Sequence, residues 1–406
     1  MSIHFQAPRK TLLSLAVLLA GASSAAQADS PSLWEALTEG KAGLDLRYRY
    51  ERVDQDNFDR NAHASTLRTR LNYATGTWQG LGAFVEFDNV SVLGEQRYND
   101  ASLRPSAKTQ YPVVADPKGT EVNQAFLSYA GLSDTLFKYG RQRIIYDNAR
   151  FIGNVGWRQN EQTFDAFTVV NRSLPDTTLS YAYLDKVHRI FGKDSPRGEI
   201  DMKSHLLNAS YSGFGLGTLT AYGYFLEDQD TPASSSATKG LRFSGGYQLA
   251  ESSKLLYTLE WARQDDYQDS QDINARYKFA ELGLQYAGVT GRAGYEVLGV
   301  KDSAFSTPLA TAHAFNGWAD VFLVTPANGL RDRHVKLAGS VYGVGLMAAY
   351  HDFKSDRGSI DYGSEVNLQA SKAIGKVNLT AKYARYSADD FFVDTEKFWL
   401  MGQVAF

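Results

Sequence analysis

Four arginines near the start of this sequence are spaced to act together. Arg47 and Arg49 alternate with leucines and tyrosines in "LDLRYRYE" (44–51), and Arg68 and Arg70 recur at the same spacing in "TLRTRLNY" (66–73). On a β-strand successive side chains point to opposite faces, so residues two apart share one face. The first segment then has one apolar face (Leu44, Leu46, Tyr48, Tyr50) and one wholly charged face. A guanidinium carries a fixed positive charge and a planar fork of N–H donors that matches a carboxylate bidentately. If the two segments are consecutive strands, the four arginines form one basic wall. In a low-dielectric tube such a wall selects and steers ions of opposite sign. The carboxylates on comparable faces, Glu86 and Asp88 of "GAFVEFDN" (82–89) with Glu260, Glu281 and Glu365, lie mostly on other segments and would oppose the arginines. The alternative is mutual ion pairing that merely keeps a charged interior solvated.

The elements that would position these charges follow from hydrophobic periodicity. From Ala42 onward the pattern has period two almost everywhere, as in "KLLYTLEWA" (254–262), "FAELGLQY" (279–286) and "VNLTAKY" (377–383). About eighteen such segments of roughly 8–12 residues occur, the length a tilted strand needs to cross a bilayer. Long connections at 54–63, 92–120, 143–161, 186–202, 227–238, 264–276, 300–332, 353–361 and 387–395 alternate with short turns such as "TWQG", "GLSD", "SGFG" and "AIG". The fold this predicts is all-β: a transmembrane antiparallel β-barrel of about 18 strands over residues 42–406, with short periplasmic turns and long extracellular loops. A soluble sandwich has no reason for so many hairpins phased in this way. The chain ends "EKFWLMGQVAF", placing Phe398, Leu400, Val404 and Phe406 on one face. This last strand must pair with the first, because an open edge in lipid leaves backbone groups unsatisfied. It is also the segment that barrel-assembly machinery would engage. Closure brings Lys382 and Lys397 beside the arginines, and a polar interior of this width is expected to hold water rather than a dry core.

At the N-terminus, Arg9 and Lys10 precede the apolar "TLLSLAVLLAGA" and then "SSAAQADS". This is the pattern of a secretory signal peptide, with cleavage expected after Ala28 and a short periplasmic segment at 29–41. "SPSLWEALTEGK" (30–41) reads as a brief helix. A net charge of -3 gives no nucleic-acid signal. The absence of cysteine excludes disulfides, thiolate metal sites and lipidation at an N-terminal cysteine. About a dozen residues between Ala28 and the first strand are too few for the plug of an energised transporter.

The stretch "LFKYGRQRIIYDNARFIGNVGWRQNEQTFDAFTV" (136–169), with "VNQAFLSY" (122–129) and "FSTPLATAHAFNGWADVFLVTPANGLRD" (305–332), resembles the alginate-export family of outer-membrane channels. The resemblance runs through essentially the whole mature chain, and "GRQRI", "WRQNEQTFDAF" and "HAFNGWAD" are its most specific parts. It implies an eighteen-stranded monomeric barrel, the founding type passing an anionic uronate polymer through an arginine-rich constriction gated by loops. Carried over onto this sequence, Arg141 and Arg143 of "GRQRI" and Arg150 and Arg158 of the following loop become constriction candidates, with Lys138 beside them. Arg141 and Arg143 share parity with Phe137 and Tyr139, which read as lipid-facing. Placing the arginines in the lumen therefore requires a bulge or a strand end near Gly140. The chain is shorter than the alginate channel itself, which implies trimmed loops and leaves the polymer open.

Other signals carry less. "HLLNAS" (205–210) offers His205, Asn208 and Ser210, but His205 and Asn208 would lie on opposite faces of one strand, out of catalytic reach. "GFGLGT" (213–218) mimics a phosphate-binding loop without the helix that must follow it. "DQDNFD" (54–59) and "DDYQDSQD" (265–272) lack the glycine and closing glutamate of an EF-hand, leaving only loop-bound calcium bridging lipopolysaccharide phosphates. The sequence therefore reads as a passive outer-membrane channel for an anionic saccharide or other small anionic solute, not an enzyme, with outer-membrane lipid and lipopolysaccharide around it. No cofactor is called for. The alternative is a general or small-solute uptake porin with a mixed-charge lumen.

Overall fold

The structure is a computed structural model that describes residues 31–105 and 107–406. The expected signal peptide lies outside the described residues. A short helix, α1 (Leu33–Thr38), opens the described chain, capped reciprocally by Ser32 and Glu35. It is tied to the start of the barrel by Tyr73, whose hydroxyl donates to Leu37 O at 2.6 Å.

Eighteen antiparallel strands follow: β1 (Lys41–Gln55), β2 (Ala62–Ala74), β3 (Leu81–Val92), β4 (Gly119–Leu132), β5 (Thr135–Gln142), β6 (Thr163–Asn171), β7 (Thr177–His188), β8 (Glu199–Tyr211), β9 (Gly217–Leu226), β10 (Ser236–Ala250), β11 (Ser253–Asp266), β12 (Asn274–Tyr286), β13 (Val289–Leu298), β14 (Leu330–Val341), β15 (Val344–Lys354), β16 (Asp361–Ile374), β17 (Val377–Ala388) and β18 (Thr395–Ala405). Each pairs with its neighbours in sequence, and β1 pairs with both β2 and β18, so the sheet closes. The terminal residue completes the seam: Phe406 N donates to Leu44 O at 2.8 Å, and Leu44 N donates back at 3.2 Å. Long and short connections alternate as the sequence predicts. The longest are 93–118, 143–162 and 299–329.

The pleat sorts the side chains as expected. Arg47, Arg49, Arg68 and Arg70 are buried inside, as are Lys382 and Lys397, while Tyr48, Leu71, Phe87, Leu259, Trp261, Leu282 and Leu284 are exposed on the outer wall. One expectation fails. The interior is not wholly polar, because loops 143–162 and 299–329 fold into the barrel and build an apolar core against its inner wall. The first contributes Ile144, Phe151 and Ile152, and the second Phe305, Leu309, Phe315, Trp318 and Phe322. They meet inward-facing Tyr277 of β12, Phe353 of β15, Tyr362 of β16, Tyr386 of β17 and Trp399 of β18. These aromatics sit toward the long-loop ends of their strands, where the inner face gives up its polarity and receives a loop. The loops are also joined by backbone bonds, Gly153 N to Leu309 O at 2.9 Å and Thr311 N to Ala149 O at 3.0 Å.

A bilayer-spanning wall penalises charge by depth. Leu259 lies mid-strand on the outer face, and Leu284 lies near the short-turn end of β12. Leu259→Arg should cost about 2–4 kcal/mol in denaturant titrations of refolding into lipid vesicles, and Leu284→Arg only about 0–1 kcal/mol. Equal costs at the two positions would contradict this depth assignment.

Candidate functional site

The arginines of β1 and β2 hold the inner loops. Arg47 sends all its bonds to uncharged oxygens of loop 143–162: Nε to Gln159 Oε1 at 2.9 Å, Nη1 to Gly156 O at 3.0 Å, and Nη2 to Arg158 O. Arg49 is fully buried, ion-paired to Asp116 of loop 93–118 at 3.1 Å, bonded to Trp157 O, and stacked over the Trp157 ring at 4.5 Å. Arg68 pairs with Asp45 on the adjacent strand, and Arg70 with Asp88 at 3.3 Å and Glu161 at 3.1 Å. A buried guanidinium keeps its charge, so each must find acceptors where the strand places it.

The loops bring carboxylates and cations of their own. Arg158 reaches Glu51 of β1 at 3.0 Å and Asp320 of loop 299–329 at 2.9 Å. Arg150 crosses to the far wall, where Nε meets Glu296 of β13 at 2.6 Å and Nη2 meets Asn316 at 3.1 Å. Glu161 takes Arg143 Nε at 2.8 Å besides Arg70. Burial alone would raise the Glu161 carboxyl, but Arg143 and Arg70 hold it well below the usual carboxylate range.

The three tryptophans of this region surround one lysine. Lys382 Nζ of β17 lies 3.9 Å from the Trp157 ring centroid, 3.6 Å from that of Trp318 and 5.4 Å from that of Trp399. It also lies 2.9 Å from His313 Nε2, and His313 Nδ1 is 2.6 Å from Asp320 Oδ1. The histidine stacks on Trp157 at 4.6 Å with the rings nearly parallel. These contacts fit a neutral imidazole that donates from Nδ1 and accepts at Nε2. Burial pushes its pKa down to about 3, against the pull of Asp320. Trp318 N and Ala319 N both donate to Glu365 of β16, the latter at 2.9 Å. Gly317 makes that approach possible, with φ +86 and the carboxylate where a Cβ would stand. "WRQNEQ" and "HAFNGWAD", far apart in sequence, thus meet at one cross-section of the lumen.

The alginate export family model matches residues 39–298, more than half of the chain. The chain belongs to the alginate export family. Among solved structures, Acinetobacter baumannii OccAB4 is 14% identical with a TM-score of 0.73, the match covering 92% of this chain and 99% of that one. Pseudomonas aeruginosa OccK3 (OpdO) is 15% identical with a TM-score of 0.71, covering 92% and 97%. Pseudomonas aeruginosa OpdK with vanillate is 16% identical with a TM-score of 0.69, covering 91% and 99%. At these identities the likeness is one of fold. No curated protein matches the chain. Family and fold together make this an outer-membrane β-barrel channel.

Within this alginate-export-family barrel, the residues singled out from sequence are redistributed. Arg143, Arg150 and Arg158 do reach the lumen, and so does Lys138, whose Nζ lies 4.7 Å from the Phe126 ring centroid. Arg141 does not. β5 continues through Gln142, and the register pairs Arg141 with Ala125 and Asp165, keeping it on the outer face. There it bonds Asp165 at 2.9 Å beside His188, which meets the same carboxylate at 2.8 Å. Arg143 lies just past the strand end, is released from the alternation, and turns inward to Glu161 and to Glu86 at 3.0 Å. Glu86 and Asp88 are also corrected. They do not oppose the arginines but neutralise Arg143 and Arg70, helped by a bulge at Asn123 that turns Asn123 and Gln124 onto Glu86. Glu260 and Glu281 do lie on other strands, each with its own cation, Arg242 at 2.5 Å and Arg292 at 2.6 Å. His205 and Asn208 occupy opposite faces of β8 as expected, bonded to Tyr181 and Asp147 respectively. The sequence reading missed the counterions Asp116, Glu161 and Asp320 and the Lys382 cage. The acidic residue inside "WRQNEQ" was the available hint for one of them.

The docking of loop 299–329 should weaken in acid. A free histidine takes its proton near 6.5 and the docked His313 only near 3, so protonation favours release over that window as pH falls. The Glu161 contacts should hold down to about pH 4.5, because a carboxyl held below its ordinary value begins to lose its stabilisation only as pH falls past that value. Single-channel recordings should show more gating events between about pH 6.5 and about 3. His313→Phe, which keeps the stacking and removes the titration, should flatten the response.

Proposed function

We propose that this channel passes small carboxylate-bearing solutes, acidic saccharides among them, over a cationic strip on one side of its lumen. The observation that carries this reading is a set of cations without carboxylate partners among the described residues: Arg47, Lys138 and Lys382. Beside them, Arg143 keeps 31% of its side chain accessible even while holding two carboxylates. Lys138 lies near enough to Arg143 for the two charges to repel each other, and a passing carboxylate would relieve that repulsion. Arg–carboxylate geometry is specific, and the exchange of one carboxylate for another at Arg143 lets the solute leave again. That OpdK, a relative in fold, is described with vanillate, itself a carboxylate, agrees with this reading. We place the outward cluster of Arg141, Asp165, His188, Lys186, Glu199 and Asp201 at the level of lipopolysaccharide headgroups.

The second reading is a small-solute porin with a mixed-charge lumen. It is favoured by the complete pairing of other arginines, Arg70 with Asp88, Arg242 with Glu260 and Arg292 with Glu281. Planar-bilayer recording under a salt gradient separates the two. The carboxylate reading expects a reversal potential on the anion side, block by oligouronate, and loss of both in Lys138→Ala/Arg143→Ala. Arg141→Ala, on the outer face, should leave both unchanged. Cation preference, or indifference to the double variant, would favour the mixed-charge porin.

A further inference from the structure

Asp332 and His334 lie two residues apart on β14, and His351 stands directly opposite His334 across the β14–β15 ladder. Strand parity turns all three into the barrel, where they are 1%, 5% and 3% exposed. Asp332 Oδ1 is 2.9 Å from His351 Nδ1 and 3.6 Å from His334 Nδ1. One possible ligand atom from each residue lies within 4.8 Å of the other two. His334 is the telling member, because neither of its ring nitrogens has a hydrogen-bond partner among the described residues despite burial. Buried polar atoms are rarely left so. Oε2 of Glu281 is likewise unpartnered and lies 3.5 Å from His334 Nε2.

We propose that Asp332, His334 and His351 form a binding site for a divalent transition-metal ion, with zinc the best match. Two imidazoles and one carboxylate are the borderline donor set that zinc favours, and three protein ligands leave a fourth position to water. Calcium and magnesium, which take oxygen donors, are poorly served by two histidines. The surroundings are those that orient metal ligands. Glu281 stands ready to accept the Nε2–H of His334, and Asn316 Nδ2 donates to Asp332 Oδ2 at 3.1 Å. The His351 ring stacks on Phe353 at 5.5 Å. On binding, the proton on His351 Nδ1 passes by way of solvent to Nε2, the ring stays neutral, and a coordination bond from the freed Nδ1 lone pair replaces the hydrogen bond to Asp332 without any redox change. Because Asn316 belongs to loop 299–329, an ion held by Asp332 would brace that loop against the wall.

The test uses the full barrel, purified in detergent, stripped with chelator and dialysed against zinc. It should retain a single zinc per chain by elemental analysis and unfold at a higher temperature than the stripped protein. Cobalt in its place should give the visible absorption of a tetrahedral site. His334→Asn and His351→Asn should each lose the ion while still migrating as folded, heat-modifiable barrels. Glu281→Gln, the milder change that serves if either histidine variant misfolds, should bind about 10–100-fold more weakly. A folded wild-type barrel that retains no zinc, or variants that retain it undiminished, would overturn the assignment.

Discussion

A guanidinium placed inside a barrel cannot escape its cost by losing a proton, and the interior of this channel is organised around that fact. The strands fix where Arg47, Arg49, Arg68 and Arg70 stand, since each follows from the pleat of β1 and β2. The loops supply what those positions demand: Asp116 for Arg49, Glu161 for Arg70, and three uncharged oxygens for Arg47. Removing one partner of such a buried pair costs on the order of 3–5 kcal/mol, because the other is left charged and dry. The loops are therefore held in the lumen by electrostatics as much as by their apolar residues.

The two inner loops solve complementary problems. Loop 143–162 carries cations outward from its own backbone, Arg150 to one wall and Arg158 to the other, and so spans the lumen. Loop 299–329 carries the aromatic and histidine side chains that close the space between them. Phe151 meets Phe305 at 5.8 Å and Tyr277 at 5.2 Å, and Trp157 finds its stacking partner in His313, so each loop completes the other's apolar surface. Mutual dependence of this kind makes partial opening of one loop a disturbance felt by both.

Much of this architecture was legible in the sequence, and the boundary is physical. Strand number, loop alternation and the sidedness of residues such as Tyr48, Glu86 and Leu259 follow from period-two patterning, which is local. The outward position of Arg141 was also legible, because it shares parity with Tyr139, yet the family's motif pointed the other way; the pleat prevailed because β5 runs on to Gln142. The infolding of the loops was not legible. It rests on pairs such as Arg47 with Gln159 and Arg150 with Glu296, more than a hundred residues apart, and no local pattern announces such pairs. The same holds for Asp332, His334 and His351. Their alternation marks them as inward, but only the β14–β15 register sets the two histidines opposite each other.

The most distinctive stretches of the chain are also those that converge on Lys382, and this bears on how a solute would pass. Among the described residues Lys382 holds no carboxylate; it meets the faces of Trp157 and Trp318 and the lone pair of His313, contacts that satisfy a cation without cancelling its charge. Arg143 is different, for its charge is already met by Glu161 and Glu86 while part of its surface stays open. On the proposed reading, these are two grades of attraction. Lys382 and Arg47 contribute a standing positive field from beneath the loops, and Arg143 with Lys138 offers the direct contact. A solute carboxylate arriving at Arg143 competes with carboxylates already there, so its net gain is small. Small net gain is what conduction requires, since a channel that bound its solute as tightly as it binds its own loops would be blocked by it.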